Sequence, residues 1–222
     1  MRLILLGLPG AGKGTQAKIL AKEKGLLHIS TGDMFREAAA EGTELGLKAQ
    51  EFMKAGALVP DEVTIGMLLE RIEKPDAQVG LMLDGFPRTI PQAEALDAAL
   101  AKQGSQIDAV LYIVVPESEL MERLTGRWSC SQCGAIYHNQ TKPPKAAGVC
   151  DECGGKLTQR ADDQPDTVKA RLDTNRAWTE QLADFYSKQG KLHEIDGTGD
   201  PSDITKRLLS ALEGVSAGSE KA

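Results

Sequence analysis

Residues 2–20 read RLILLGLPGAGKGTQAKIL, and no other stretch of this chain narrows its fold as much. A short apolar run with strand character enters a loop carrying glycine at 7, 10, 12 and 14, and the loop enters an amphipathic helix. Gly7, Gly12 and Lys13 have the spacing of a phosphate-binding loop, in which glycines let backbone N–H groups close around phosphate oxygens. The helix starting near Lys13 adds the partial positive charge of its N-terminus. Lys13 itself can reach β- and γ-phosphates. The usual motif has Ser or Thr directly after the lysine. Here Gly14 intervenes and Thr15 follows, so Thr15 is the expected hydroxyl beside the phosphates and their Mg²⁺. A glycine-rich turn in an ordinary strand–helix unit is the plainer alternative, and the coincidence of strand, loop, lysine and helix weighs against it.

Further runs with strand character cover 27–29, 80–84, 109–115 and 192–195. Helical stretches separate them: from Lys13 to Gly25, then 33–41, 44–55, 60–73, 91–103, 117–125, 167–188 and 202–212, many opened by Pro or closed by Gly. Strands alternating with helices predict an α/β fold, a parallel five-stranded sheet covered on both faces, with ligands at the carboxyl ends of its strands. The tail 214–222 is small and polar and is expected to be disordered.

The length of 222 residues allows one large domain or one domain with insertions. No apolar run approaches a membrane span, and the start of the chain makes a poor signal peptide, so a cytoplasmic protein is expected. A formal net charge of −6 disfavours sequence-independent binding to nucleic acid, which needs many cations on the phosphates.

All four cysteines lie in 130–153, as two Cys-x-x-Cys pairs 16 residues apart. Cys130, Cys133, Cys150 and Cys153 match a four-thiolate zinc site, although iron or cobalt fits the same geometry. Gly134 and Gly154 follow the pairs, where positive φ lets the chain fold back. Two disulfides are the alternative, and a reducing compartment disfavours them. His138 is a weaker alternative ligand. Few large apolar residues stand in this segment (Trp128, Ile136, Tyr137, Val149 and Leu157), so it needs a staple to hold its shape.

A net-acidic protein that handles phosphates must supply cations locally. Arg36, Arg88, Arg123, Arg127, Arg160 and Arg171 are the candidates, each against the plain reading of a solvated surface charge. Arg123 and Arg127, four apart, are expected on one helix face at the entrance to the cysteine segment. Asp84 ends an apolar strand, the position of a carboxylate that holds Mg²⁺ through water. A turn or capping role is its alternative.

Together GLPGAGKGTQ, ISTGDMFR, LMLDGFPRT with PQAEAL, the GR before the cysteines, and QRADDQPDTVKARL resemble the adenylate kinases, in that family's order and over residues 1 to about 213. The resemblance is to the form with a long, metal-bearing lid. It implies a core of 1–29, 60–125 and 164–213, an AMP-binding arm over 30–59 and a lid over 126–163. It implies ATP contacts at Gly10, Ala11, Gly12, Lys13, Gly14, Thr15, Arg123, Arg127, Ile136, Tyr137 and Gly199. AMP contacts fall on Thr31, Arg36, Ala57, Leu58, Val59, Gly85, Phe86, Pro87, Arg88, Gln92, Arg160 and Arg171. Gln92 would face the adenine edge. Lys13, Asp84, Arg88, Arg123, Arg127, Arg160 and Arg171 would serve the transfer, and Asp162 and Asp163 would act at the lid edge rather than in the chemistry.

The reaction so implied is ATP + AMP ⇌ 2 ADP by a monomer, with Mg²⁺ travelling with ATP and zinc structural in the lid. The acceptor oxygen is already anionic, so no general base is required, which suits a chain with three histidines. The rivals are a kinase for another nucleoside monophosphate and, more remotely, a zinc-ribbon nucleic-acid module on an NTPase.

Overall fold

The computed structural model of the chain describes residues 1–216. Its main sheet has five parallel strands: β1 Arg2–Leu6, β2 Leu27–Ser30, β3 Leu81–Asp84, β4 Ala109–Val114 and β8 Leu192–Asp196, ordered β2-β3-β1-β4-β8. Successive residues of β1 serve opposite faces. Leu3 and Leu5 enter one buried cluster, with Leu20 and Leu208, while Ile4 and Leu6 enter the other, with Leu68 and Leu96. A strand buried on both sides must be apolar throughout, which is why residues 3–6 read LILL.

Helices α1 Lys13–Lys24, α4 Asp61–Ile72, α5 Ile90–Lys102, α6 Glu117–Thr125, α7 Pro165–Lys188 and α8 Pro201–Ser216 cover the two faces. The long α7 joins them: Val168 and Leu172 pack in the first cluster, Leu182 and Tyr186 in the second. No helix among the described residues is long and apolar enough to cross a membrane.

Two smaller bodies stand on this core. The first is the helix pair α2 Thr31–Ala40 and α3 Glu44–Lys54. Ser30 and Thr43 cap the two helices, accepting from Asp33 N and Gly46 N. The pair is packed so closely that a Cβ at Gly46 would collide with the backbone of Ala38 and Ala39. The second is a three-stranded antiparallel sheet of β5 Arg127–Cys130, β6 Ile136–His138 and β7 Leu157–Thr158, ordered β6-β5-β7. Its buried cluster holds only Cys130, Ala135, Tyr137, Cys150 and Leu157.

The structure corrects three expectations. α6 stops at Thr125, so Arg127 lies on β5 and shares no helix face with Arg123. The physical reason is Gly126: a side chain there would strike His138 and Asn139, so the chain turns into the small sheet at that residue. α8 runs past Leu212 and through Gly214 to Ser216, because Leu212 and the half-buried Val215 still pack on the core. The expected disorder therefore does not begin at 214, and residues 217–222 lie outside those described. α7 begins at Pro165, where proline's missing N–H is no loss, rather than at 167.

Candidate active site

β1 sits between β3 and β4; the connection leaving β1 runs to β2 on the β3 side and the one leaving β3 crosses to β4, which opens a crevice at the carboxyl end of β1. The loop that leaves it there is shaped by glycine. Gly7, Gly10 and Gly12 have φ of 147°, 86° and 90°. A Cβ at Gly10 would also stand 2.9 Å from the Leu124 side chain of α6. α1 begins at Lys13 with no side-chain cap and no acidic residue in its first turn, which leaves its N-terminal N–H groups open to an anion. The unusual Gly14 has a local reason as well: a Cβ there would lie 3.3 Å from Asp84 Oδ2. Thr15 is exposed.

Lys13 folds back over the loop, its Nζ donating to Gly7 O at 2.7 Å and Leu8 O at 2.9 Å. Burial lowers its pKa to about 8; nearby Asp84 opposes the fall, and Arg88, Arg171 and Arg127 add to it. Burial and then Arg171 bring Arg88 down to about 10, and burial, Arg36 and Arg127 bring Arg160 to about 10. Burial also lowers Arg171. Among the described residues, neither Lys13 nor Arg88 nor Arg160 has a carboxylate within ion-pair distance. Cations crowded together, largely withdrawn from water and outnumbering Asp84 and Asp162 beside them, make an anion-seeking cavity.

Asp84 ends β3, with Oδ2 3.8 Å from His28 Nε2. Arg127 and Arg171 are held by the lid-edge carboxylates. Arg127 grips Asp163 with two hydrogen bonds, and Arg171 Nη1 donates to Asp162 O at 2.7 Å and lies 3.1 Å from Asp162 Oδ2.

One cleft gathers most of the expected acceptor-side residues. Thr31 and Arg36 come from α2, the segment Ala57–Val59 from the end of the helical arm, Gly85, Arg88 and Gln92 from the loop after β3 and α5, and Arg160 and Arg171 from the far side. Thr31 is buried and donates to Gly85 O at 2.9 Å. Arg36 is paired with Asp33 at 2.5 Å. Phe86 and Pro87 are buried and are not among the residues that line the cleft. Asn175, which also lines the cleft and donates to Arg171 O, escaped the sequence reading.

Gln92 is 1% exposed and its amide is already engaged. Oε1 accepts from Arg88 N at 2.7 Å, and Nε2 donates to Asp61 Oδ1 at 2.7 Å. Asp61 is the first residue of α4.

The expected ATP-side residues form no single lining. Arg123 donates to Glu119 at 2.5 Å and to Gly197 O at 2.9 Å, which ties α6 to the loop containing Gly199. Ile136 is half-buried. Tyr137 is 2% exposed and its ring belongs to the core of the small sheet.

The four thiols converge, with all Sγ atoms within 4.8 Å of one another. Cys130–Cys153 is 3.4 Å and Cys133–Cys150 is 3.6 Å. Four Zn–S bonds of about 2.3 Å in a tetrahedron require S–S separations of about 3.8 Å, so the cluster fits the ion closely. Gly134 and Gly154 have φ of 68° and 73°, as the knuckle requires. The Tyr137 hydroxyl accepts from Asp151 N at 2.7 Å and lies 3.5 Å from Cys150 Sγ. Its hydrogen bond, helped by the N–H groups of Glu152 and Cys153, pulls the Cys150 thiol down to about 6. His138 stands apart from the cluster, with its ring nitrogens on Glu122 O and on the N–H groups of Gln140 and Thr141.

The family model described as adenylate kinase matches residues 5–191. The adenylate kinase of Carboxydothermus hydrogenoformans is 56% identical over 213 residues, 96% of this chain and 100% of that protein. That of Desulforudis audaxviator is 53% identical over 212 residues, and that of Staphylococcus aureus 54% over 213, each covering 96% of this chain and 99% of the relative.

Proposed function

The chain belongs to the adenylate kinase family, and from that premise we propose how its own residues carry the family's reaction. The reaction is ATP + AMP ⇌ 2 ADP. A phosphate oxygen of AMP forms a bond to the γ-phosphorus as the bridging oxygen leaves with its electron pair on ADP. Transfer through a loose transition state asks for in-line placement and charge stabilisation rather than for a base.

The loop 7–15 cradles the phosphates of ATP with backbone N–H groups, and Lys13 leaves its two carbonyl partners to follow the transferring phosphoryl group. Arg88 and Arg36 hold the AMP phosphate. Arg127, Arg160 and Arg171 bridge the two nucleotides, and Arg123 steadies the ATP side through Gly197. Asp84 would hold the Mg²⁺ of the nucleotide through water. The helical arm 30–59 covers AMP, with Gln92 at the base, and the lid 126–163 closes over ATP and excludes water as a competing acceptor.

Zinc would be held by Cys130, Cys133, Cys150 and Cys153. Four thiolates leave no open coordination position, so its contribution is to the shape of the lid. The protein is expected to work as a monomer in the cytoplasm on free nucleotides, without nucleic acid or membrane.

The single observation that carries this assignment of residues is the group of half-buried cations, Lys13, Arg88 and Arg160, which face one cleft with no carboxylate within ion-pair distance among the described residues. The deciding experiment measures ADP formed from ATP with AMP, GMP, CMP or UMP, alongside elemental analysis of the purified protein. Preference for AMP with about one zinc per chain supports the reading; preference for another monophosphate overturns it.

A further inference from the structure

Asp61 opens α4 and is not among the residues that line the cleft, yet it holds one that is. Its Oδ1 accepts from Gln92 Nε2 at 2.7 Å, and its Oδ2 accepts from Thr89 Oγ1 at 2.8 Å. On the other side of the same amide, Gln92 Oε1 accepts from Arg88 N at 2.7 Å.

A carboxylate only accepts and a backbone N–H only donates, so these two neighbours permit one orientation of the Gln92 amide. Rotating it by half a turn would set oxygen against carboxylate and N–H against N–H. Two hydrogen bonds would be lost at a side chain 1% exposed, where water cannot replace them.

The engaged amide keeps one N–H and one oxygen lone pair. That pair of groups complements a 6-aminopurine, whose N1 accepts and whose N6 donates. A 6-oxopurine inverts both positions: O6 accepts and N1–H donates. A glutamine free to turn over could serve either base. We infer that Asp61 is a positioning residue for base selection, locking the Gln92 amide in the orientation that matches adenine and mismatches 6-oxopurines. The inference rests on the reading that Gln92 faces the base of the acceptor nucleotide.

The test compares kcat/KM for AMP and for IMP, with ATP as donor. IMP is the probe because it carries the inverted edge without the additional 2-amino group of GMP. Asp61→Asn offers Gln92 either an oxygen or an N–H, so turning the amide over would lose only the Arg88 N–H bond instead of both, and the lock is weakened. The AMP-over-IMP ratio should fall about tenfold, with the gain appearing as a lower KM for IMP. Asp61→Glu remains acceptor-only and should keep the ratio within threefold of wild type. Asp61→Ser, whose hydroxyl donates or accepts, carries the same expectation as Asp61→Asn should that variant fail to fold. Simple loosening of the site would slow both substrates together and leave the ratio in place. A ratio within threefold of wild type in Asp61→Asn, or in Asp61→Ser where that variant replaces it, overturns the inference. Gln92→Ala separates the two layers: if it collapses the ratio while Asp61→Asn does not, only the role of Asp61 fails. If Gln92→Ala itself keeps the ratio, the assignment of Gln92 to the base fails first.

Discussion

Arg127 and Asp163 join the two ends of the segment proposed as the lid. Arg127 Nε meets Asp163 Oδ2 at 2.8 Å and Nη2 meets Oδ1 at 2.5 Å, across 36 residues of sequence. Asp163 is 0% exposed and also lies 3.3 Å from Arg171 Nη1, so one carboxylate holds a guanidinium from β5 and another from α7. The small three-stranded sheet is therefore tied to α7 by charge at its neck, and its four thiols converge where a metal would tie it further. In the proposed mechanism, a phosphate arriving between Arg127 and Arg171 would compete with Asp163 for both, which would couple nucleotide arrival to the neck of the lid.

This coupling is measurable. Replacing Asp163 by Asn removes a buried charge that two arginines neutralise and should cost about 3 kcal/mol of stability. In a double-mutant cycle with Arg127→Met, the interaction energy from urea unfolding should be about 1–3 kcal/mol. Additivity within about 0.5 kcal/mol would mean that the pair does not hold the neck.

Gly46 gives a prediction about the arm. Its Cβ position is occupied by the Ala38–Ala39 backbone, so Gly46→Ala must separate α2 from α3. That displaces Thr31 and Arg36, and the KM for AMP should rise at least tenfold while the KM for ATP moves less than threefold. Equal changes in both constants would sink the idea that the arm serves AMP alone.

How legible this was depended on the range of the contacts involved. The loop 7–14, the four-cysteine cluster and nearly every helix boundary follow from neighbours in sequence, since glycine conformation, proline position and metal-ligand spacing are local. The strands of the lid are two to four residues long and carry Ser, Thr and Cys, so no alternation announces them. Arg127 was misplaced because Gly126 ends α6 for a reason that lies in His138 and Asn139. Asp61 reads as an ordinary first-turn carboxylate, because its partner Gln92 is 31 residues away. The adenylate kinase resemblance supplied most of the acceptor-side residues, but it could not show that the Gln92 amide is already held on both sides.

Metal removal tests the lid separately. With a core of only five residues, of which Tyr137 alone is large, the three-stranded sheet should not stay folded by burial once the thiols are released. Chelation should expose 126–163 to protease while the five-stranded core keeps its protection, with activity falling through poor closure. Tyr137→Phe leaves the ring in place but removes the hydrogen bond to Cys150 Sγ. Its zinc should transfer to a competing chelator at least several-fold faster than from wild type. Unchanged protease resistance after verified metal loss would refute the staple.

Lys13 carries the last prediction, in two measurements of opposite sign. Its pKa is lowered from 10.5 to about 8, chiefly by burial. Between those values the unfolded chain binds more protons than the folded one, so the ligand-free protein should gain stability as pH rises through that window. Relative to Lys13→Met, wild type should gain on the order of 2 kcal/mol between about pH 7 and pH 9.5. The variant should be the more stable of the two at pH 7, where it lacks the buried cation. Nucleotide binding should run the other way. Phosphates favour the protonated amine, so affinity for a nonhydrolysable ATP analogue should weaken above about pH 8, approaching tenfold per unit, and Lys13→Met should lose this dependence. Urea denaturation and calorimetric titration at matched pH values supply the two curves. If wild type and variant run parallel in both, the buried ammonium of Lys13 is neither a burden on the free fold nor a partner of the phosphate.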